Sequence, residues 1–117
     1  MTAHIRHCSK CRRLHASAGE LSTSCNSILW EGGGVHVTPQ QERIMCRLLL
    51  RERCTTSELI DWLHGPNPAG GPLTAENAIN VQLCRIRAKL VWALAPFAIE
   101  WQPRLGYRLA LRERVAA

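Results

Sequence analysis

The sequence contains no apolar run that approaches the length of a membrane-spanning helix. Its first ten residues carry charge and are not followed by the apolar segment of a secretory signal. Acidic side chains are also scarce, since nine Asp and Glu stand against fifteen Lys and Arg, for a formal net charge of +6. These features indicate a cytoplasmic protein whose positive charge binds a polyanion, with nucleic acid as the first candidate.

Large apolar side chains are nearly absent from residues 1–26, which are rich in Cys, His and basic residues. This segment therefore cannot build a core of its own by hydrophobic burial. The whole chain of 117 residues is 46% hydrophobic and 21% charged, as in a globular protein. We predict a basic Cys/His-rich segment at 1–26, followed by one folded domain at 27–117.

Cys8 and Cys11 form a Cys-x-x-Cys pair, the spacing that lets two thiolates reach one zinc ion from a tight turn. In a reducing cytoplasm, metal binding or burial explains the six cysteines better than disulfides do. Cys25 with His15 or His7 would complete a tetrahedral structural site. We take Cys8, Cys11, Cys25 and His15 as the candidate ligands of one Zn²⁺. The alternatives are a loose basic tail with incidental Cys and His, and a thioredoxin-like redox pair. We disfavour the redox pair because no strand is predicted before Cys8.

No nucleophile with an oriented base is evident, apart from Cys8 and Cys11 near His7. The run Gly32–Gly34 lacks the lysine of a nucleotide-binding loop and leads into a strand-like Val-His-Val. We therefore expect that the protein is not an enzyme and that these glycines form the turn of a β-hairpin over 27–37.

Two capping boxes predict the first two helices. Thr38 and Gln41 form the first box, with Pro39 at the first helical position, and this helix should end near residue 52 or 53. Thr55 and Glu58 form the second box, and Gly65 should end that helix.

A third helix is predicted from Thr74 to Leu90, after a loop rich in proline and glycine. Its apolar residues recur at helical spacing on one side, where they can dock on a core. The other side carries small, amide-bearing and basic residues, which suits the major groove of DNA. The alternative is an ordinary amphipathic helix with a solvated face. The docking residues are Ile79, Leu83, Ile86 and Leu90, and the opposite side and its flanks carry Asn77, Asn80, Val81, Cys84, Arg85, Arg87 and Ala88.

A second hairpin is predicted from residues 98–101 and 107–111, which alternate like strands around a turn containing Pro103 and Arg104. A tip arginine can enter the minor groove of DNA, although it can also be a solvated turn residue. Arg108 adds positive charge on the second strand.

This order of elements resembles the OmpR/PhoB-type winged-helix effector domain. The matching segments are VTPQQERIMCRLLL, TTSELIDWLHG, NVQLCRIRAKL and LGYRL, within about residues 28–111. The resemblance implies an α+β winged helix-turn-helix with three helices, an N-terminal hairpin and a C-terminal wing. It also implies that the third helix reads the major groove, that the wing touches the minor groove and backbone, and that the 64–73 loop contacts RNA polymerase.

The resemblance implies base-facing positions for Ala78, Asn80 and Arg85, and positions at or near phosphates for Gln82, Cys84 and Arg87. Three positions depart from the family. Asn77 stands where an arginine is usual, Cys84 replaces a charged residue before RIRAKL, and Pro103 takes the place of the wing arginine, one step before Arg104. We therefore expect a different target sequence. The predicted DNA-binding residues are Asn77, Ala78, Asn80, Gln82, Cys84, Arg85, Arg87, Arg104 and Arg108.

Together these patterns predict a sequence-specific regulator of transcription that binds double-stranded DNA. Binding as a homodimer or in tandem is compatible with the sequence. Its short form with an N-terminal Cys-x-x-Cys resembles small regulators of bacterial or phage origin. One alternative is a protein-binding adaptor that contacts RNA polymerase or another regulator. Another is a regulator controlled by metal or redox state through residues 1–26.

Overall fold

The computed structural model describes residues 3–12, 14–51, 53–64 and 75–111. The first five strands form one antiparallel sheet in sequential order, and two later strands form a separate hairpin. Three helices lie between these sheets in the sequence, so the predicted α+β class is confirmed. The elements are β1 (Ala3–His7), β2 (Leu14–Ala18), β3 (Leu21–Ser24), β4 (Ser27–Trp30), β5 (Gly33–His36), α1 (Pro39–Leu50), α2 (Thr56–His64), α3 (Ala75–Trp92), β6 (Phe97–Gln102) and β7 (Gly106–Leu111).

Helix α1 begins with the predicted capping box. The Thr38 hydroxyl accepts from the Gln41 backbone N–H at 3.2 Å, and the Gln41 side-chain oxygen accepts from the Thr38 N–H at 3.1 Å. The helix ends at Leu50, earlier than predicted, because Arg51 already has extended backbone angles. Its inward side contributes Ile44, Met45 and Leu48 to the core.

Helix α2 is capped by Thr55, whose hydroxyl accepts from the Glu58 backbone N–H at 3.2 Å. Leu59 is fully buried, and Trp62 joins α2 to α1 because its indole N–H donates to the Arg43 carbonyl at 2.8 Å. A second hydrogen bond joins the same two residues, because the Arg43 guanidinium donates to the Trp62 carbonyl at 2.9 Å. The predicted end of the helix at Gly65 lies outside the described residues.

Helix α3 packs with the predicted stripe, since Ile79, Leu83, Ile86 and Leu90 are each at most 1% exposed. The helix ends at Trp92, and the next turn is closed by the Ala95 N–H, which donates to the Leu90 carbonyl at 2.9 Å. The predicted cap at Thr74 lies outside the described residues.

The N-terminal segment differs from its prediction. Strand β1 ends at His7, so the expectation that no strand precedes Cys8 is wrong. Strands β2 and β3 pack against α1, and His15, Ala16 and Leu21 are buried there, so the segment is not a loose tail. Its small residues gave little strand signal because pairing between strands, rather than local propensity, holds them extended. The predicted boundary at residue 26 lies between the paired strands β3 and β4, and the division into two units stays a prediction.

The β6–β7 hairpin is attached to the connection between α1 and α2. Cys54 and Tyr107 exchange two backbone hydrogen bonds, of 2.9 and 2.7 Å. Gly106 allows this close approach, because its φ is +91° and a Cβ there would overlap the Cys54 carbonyl. Among the described helices, none is both long enough and apolar enough to cross a membrane.

We predict that Gly106→Ala lowers the free energy of unfolding by more than about 3 kcal/mol, because the added methyl pushes the hairpin away from Cys54. Gly32→Ala is a matched control, because Gly32 has a similar φ of +89° but open space around its Cβ position. In the control, the free energy of unfolding should fall by only about 1–2 kcal/mol, the cost of placing an alanine in the left-handed conformation. Urea denaturation followed by circular dichroism measures both values, and equal losses would contradict the steric explanation.

Candidate nucleic-acid interface and metal site

One side of α3 is exposed along its length. Successive residues turn by about 100° around the helix axis, so the side opposite the buried stripe is formed by residues 77, 81, 84, 85 and 88. Arg85 lies on this side, with Ala78 beside it, and both are exposed. This surface has small side chains at its centre and a positive charge, so a polyanion can approach it closely.

Asn80 lies on the flank of α3 that faces the β6–β7 hairpin. Its side-chain oxygen accepts from the Tyr107 hydroxyl at 3.2 Å. Arg87 lies on the same flank, where its Nε donates to the Ile99 carbonyl at 3.1 Å and its guanidinium stacks over the Tyr107 ring at 5.6 Å. These contacts hold both side chains between the helix and the hairpin.

The opposite flank of α3 contacts the first turn of α1. Gln82 accepts from the Gln41 amide at 2.9 Å, and the Lys89 ammonium donates to the Gln41 oxygen at 2.7 Å. Gln41 is 1% exposed, so this amide is a buried link between the two helices. The sequence pattern identified Gln41 only as a capping residue and did not indicate its contact with α3.

The hairpin tip carries Arg104, which is exposed and has a left-handed φ of +67°. Arg108 on β7, a predicted DNA-binding residue, forms an ion pair, because its Nε and Nη2 donate to one Glu100 oxygen at 3.1 and 3.0 Å. The pair is 38% and 47% exposed, so it contributes little to stability but reduces the local positive potential.

Cys8, Cys11, His15 and Cys25 lie together at one end of the five-stranded sheet, with their candidate ligand atoms within 4.8 Å of one another. The Cys8 and Cys25 sulfurs are 3.6 Å apart, and the His15 Nε2 lies 3.2 Å from the Cys11 sulfur and 3.9 Å from the Cys25 sulfur. Bond lengths of about 2.3 Å to sulfur and 2.0 Å to nitrogen place the ligands of a tetrahedral Zn²⁺ about 3.5–3.8 Å apart. Three thiols and one imidazole form a donor set that zinc takes, and the separations of 3.2, 3.6 and 3.9 Å lie close to these values. His7, the alternative ligand, is exposed and is not in this group.

Two turns bring the four ligands together. The Arg12 N–H donates to the Cys8 carbonyl at 2.9 Å, which closes the loop that carries Cys8 and Cys11. Cys25 and Asn26 have φ values of +33° and +65° at the β3–β4 turn, as in the tight hairpin turns that match strand twist. Asparagine tolerates this conformation well, whereas a cysteine there is uncommon and suggests a functional constraint.

The cluster also favours one thiolate. The backbone N–H groups of Cys11 and Lys10 stabilise the charged sulfur and lower the pKa of Cys8 to about 6. The hydrogen bond to Cys8 raises the pKa of Cys25. Burial raises the pKa of Cys46, which lies outside the cluster, to about 11. Because the thiolate is the form that binds metal, Cys8 is prepared for coordination, whereas Cys46 behaves as a buried apolar residue.

Behind the cluster lies a buried carboxylate that the sequence pattern did not indicate. The Glu42 oxygen Oε1 lies 3.5 Å from the His15 Nδ1, and both side chains are 1% exposed. The same oxygen accepts from the Asn26 backbone N–H at 2.8 Å. A glutamate in the first turn of a helix is usually exposed, so only the tertiary structure reveals this contact.

Comparison with known proteins gives a fold and no family. No protein-family model and no curated protein matches the chain. Among solved structures, the chain is similar to the C-terminal domain of the nisin resistance regulator NsrR, a lantibiotic response regulator. The two are 20% identical, the match covers 80% of this chain and 93% of that domain, and the TM-score is 0.63. The chain therefore has the fold of a response-regulator C-terminal domain.

The Asn80–Tyr107 contact can be tested by a double-mutant cycle. We expect Asn80→Ala and Tyr107→Phe to show a coupling energy of about 0.5–1.5 kcal/mol in urea denaturation, because each removes one partner of the same hydrogen bond. Pairing Tyr107→Phe with Arg85→Ala, an exposed position on the side of α3 away from the hairpin, should give additive effects. Additivity in the first cycle would contradict the placement of Asn80 against the hairpin.

Proposed function

We propose that the protein is a sequence-specific transcription regulator with a winged helix-turn-helix. In this proposal α3 lies in the major groove of double-stranded DNA and the β6–β7 hairpin is the wing, which touches the minor groove and backbone. One observation carries it: α3 is held on its apolar side and on both flanks, so the side with Arg85 stays exposed. The net charge of +6 supports a polyanionic partner.

Base contacts are assigned to the exposed side of α3. Arg85 can pair with the two acceptors of a guanine, and Asn80 with the Hoogsteen edge of an adenine. Ala78 is small enough to lie against a thymine methyl group, while Asn77 and Cys84 line the same surface. The Asn80 side-chain oxygen accepts from the Tyr107 hydroxyl, so Asn80 can reach a base either by turning its amide away from Tyr107 or through its amide nitrogen.

Phosphate contacts are assigned to Gln82, Arg87 and Arg104 around this surface. The contacts of Gln82 with Gln41 and of Arg87 with Ile99 fix these side chains before DNA binds, which lowers the entropy lost on binding. Arg108 would have to exchange Glu100 for a phosphate, so we assign it a smaller contribution.

The second part of the proposal is one structural Zn²⁺ held by Cys8, Cys11, His15 and Cys25. The fit of the four donor atoms to a tetrahedral ion supports it. Bound there, the ion supplies a cross-link between three chain segments in a part of the protein that has few large apolar side chains. The backbone turns around Cys8 and Cys25 hold the thiolates in place.

A protein-binding adaptor is the second candidate function. Trp92 and Leu94 at the end of α3 are 88% and 85% exposed, and such side chains are frequent at protein interfaces. The resemblance to OmpR/PhoB-type domains implies that the 64–73 loop contacts RNA polymerase. Apart from His64, this loop lies outside the described residues. A homodimer or tandem arrangement on DNA also stays a proposal.

Selection of binding sites from random duplexes tests the DNA-binding proposal. We expect an enriched motif, and we expect Arg85→Ala to lose about 1–3 kcal/mol of preference at one guanine. Arg87→Ala should weaken binding to all DNA sequences alike. It should also reduce the slope of log affinity against log salt concentration by about one, because one phosphate contact is lost. Arg51→Ala removes the same charge at an exposed site outside α3 and the hairpin, and should keep the motif. Failure to enrich any motif would leave the adaptor as the better function.

Metal analysis of protein purified under reducing conditions tests the second part. We expect one zinc per chain in the wild type, and loss of stoichiometric zinc in Cys11→Ser and Cys25→Ser, because each removes one of four ligands. Cys84→Ser, which changes an exposed cysteine outside the cluster, should keep the metal. A wild-type protein free of zinc, or equal zinc in all three variants, would contradict the site.

A further inference from the structure

Glu42 lies between the Cys/His cluster and the rest of the protein. It belongs to the first turn of α1, but its carboxylate extends to the sheet, where it meets His15 of β2 and the backbone N–H of Asn26. Asn26 directly follows Cys25, so one oxygen of Glu42 contacts one ligand of the cluster and the residue next to another. A carboxylate that is 1% exposed needs such partners, because an unpaired buried charge is strongly destabilising.

The imidazole of His15 has two distinct environments. Its Nε2 faces the sulfurs of Cys11 and Cys25, while its Nδ1 is buried and makes no hydrogen bond within the described part of the chain. Glu42 Oε1 is the acceptor 3.5 Å from that nitrogen. A metal ion bound at Nε2 requires the neutral ring to carry its proton on Nδ1, and this N–H then points to the carboxylate.

The residue before Glu42 on α1, Gln41, extends the connection to α3. Gln41 contacts Gln82 at 2.9 Å and Lys89 at 2.7 Å. Its side-chain oxygen also accepts from the Thr38 backbone N–H in the capping box. Gln41 and Glu42 are both 1% exposed and share one helical turn. A shift of this turn toward or away from the cluster therefore moves the residues that hold the flank of α3.

We propose that Glu42 is a positioning residue that accepts the His15 Nδ1–H when metal is bound, and so couples metal loading to the placement of α3. The coupling runs from His15 through Glu42 to the first turn of α1, and from Gln41 to Gln82 and Lys89. It rests on the proposed metal centre but not on DNA binding. Metal loading thereby acts as a control on the placement of α3, through the first turn of α1.

The positioning role is tested with Co²⁺, whose visible absorption reports tetrahedral thiolate coordination, and with Zn²⁺ in competition with a chromophoric chelator. Glu42→Gln keeps an oxygen acceptor for the Asn26 N–H but removes the charge. We expect it to bind both metals about 10–100-fold more weakly than the wild type. Glu20→Gln makes the same change at an exposed position in the β2–β3 turn and should bind like the wild type.

Nitrogen-15 NMR spectra of the His15 ring report the protonation of Nδ1, which a general loss of stability would not change. In the Zn²⁺-loaded wild type we expect the proton on Nδ1, with a downfield resonance that exchanges slowly with water. In loaded Glu42→Gln the resonance should move upfield and exchange faster, because an amide oxygen is a weaker acceptor than a carboxylate. Equal metal affinity in Glu42→Gln and the wild type, or an unchanged Nδ1 proton, would overturn the positioning role.

Hydrogen exchange of the unmodified protein tests the coupling without any variant. Removing zinc with a chelator should increase exchange at least about tenfold in the N-terminal half of α1 and in α3 around Gln82, as well as in β1–β3. A change confined to β1–β3 would overturn the coupling. Absence of cobalt absorption in the wild type would overturn the metal centre and this inference together, whereas failure of DNA binding alone would leave both standing.

Discussion

Gln41 and Glu42, an amide and a carboxylate, are buried side by side in the first turn of α1, and the relative positions of the other elements depend on their hydrogen bonds. Burial of such groups is tolerated only where partners replace water. The partners here come from the α1 cap, the β3–β4 turn and α3, while His15 of β2 lies against the carboxylate. Apolar packing is not directional, so the core alone would tolerate small shifts between elements. The hydrogen bonds of Gln41 and Glu42 would be broken by such shifts, and they therefore select one arrangement.

The exposed surface of α3 follows from this arrangement. Its apolar stripe is covered by the core, one flank is held by Gln41, and the other is held by Tyr107. Within the part of the chain that the structure describes, only one side of the helix is left without packing, and its short side chains give a partner close access to the backbone. The same contacts fix Arg87 and Gln82 at the border of the surface, so little ordering is required when a partner binds.

The sequence predicted features whose cause is local. The stripe of α3 and the box at Thr38 and Gln41 follow from helix periodicity and capping chemistry, and both are confirmed. The Cys-x-x-Cys spacing and a tetrahedral donor requirement indicated Cys8, Cys11 and Cys25 with either His15 or His7, and the structure brings His15 to the three cysteines. What could not be predicted depends on distant pairing: the short strands β1–β3, the burial of Glu42, and the ion pair that occupies Arg108. Polar side chains in these positions look solvated until the fold encloses or pairs them.

The two backbone hydrogen bonds between Cys54 and Tyr107 make the hairpin an extension of the helical core rather than a hinged arm. Because the hairpin is fixed, the spacing between α3 and Arg104 at the hairpin tip is constant. In the proposed complex the DNA, which deforms more easily than the protein, would have to adjust its groove widths to match that spacing. Base steps that bend or narrow easily would then be favoured even where no side chain reaches them.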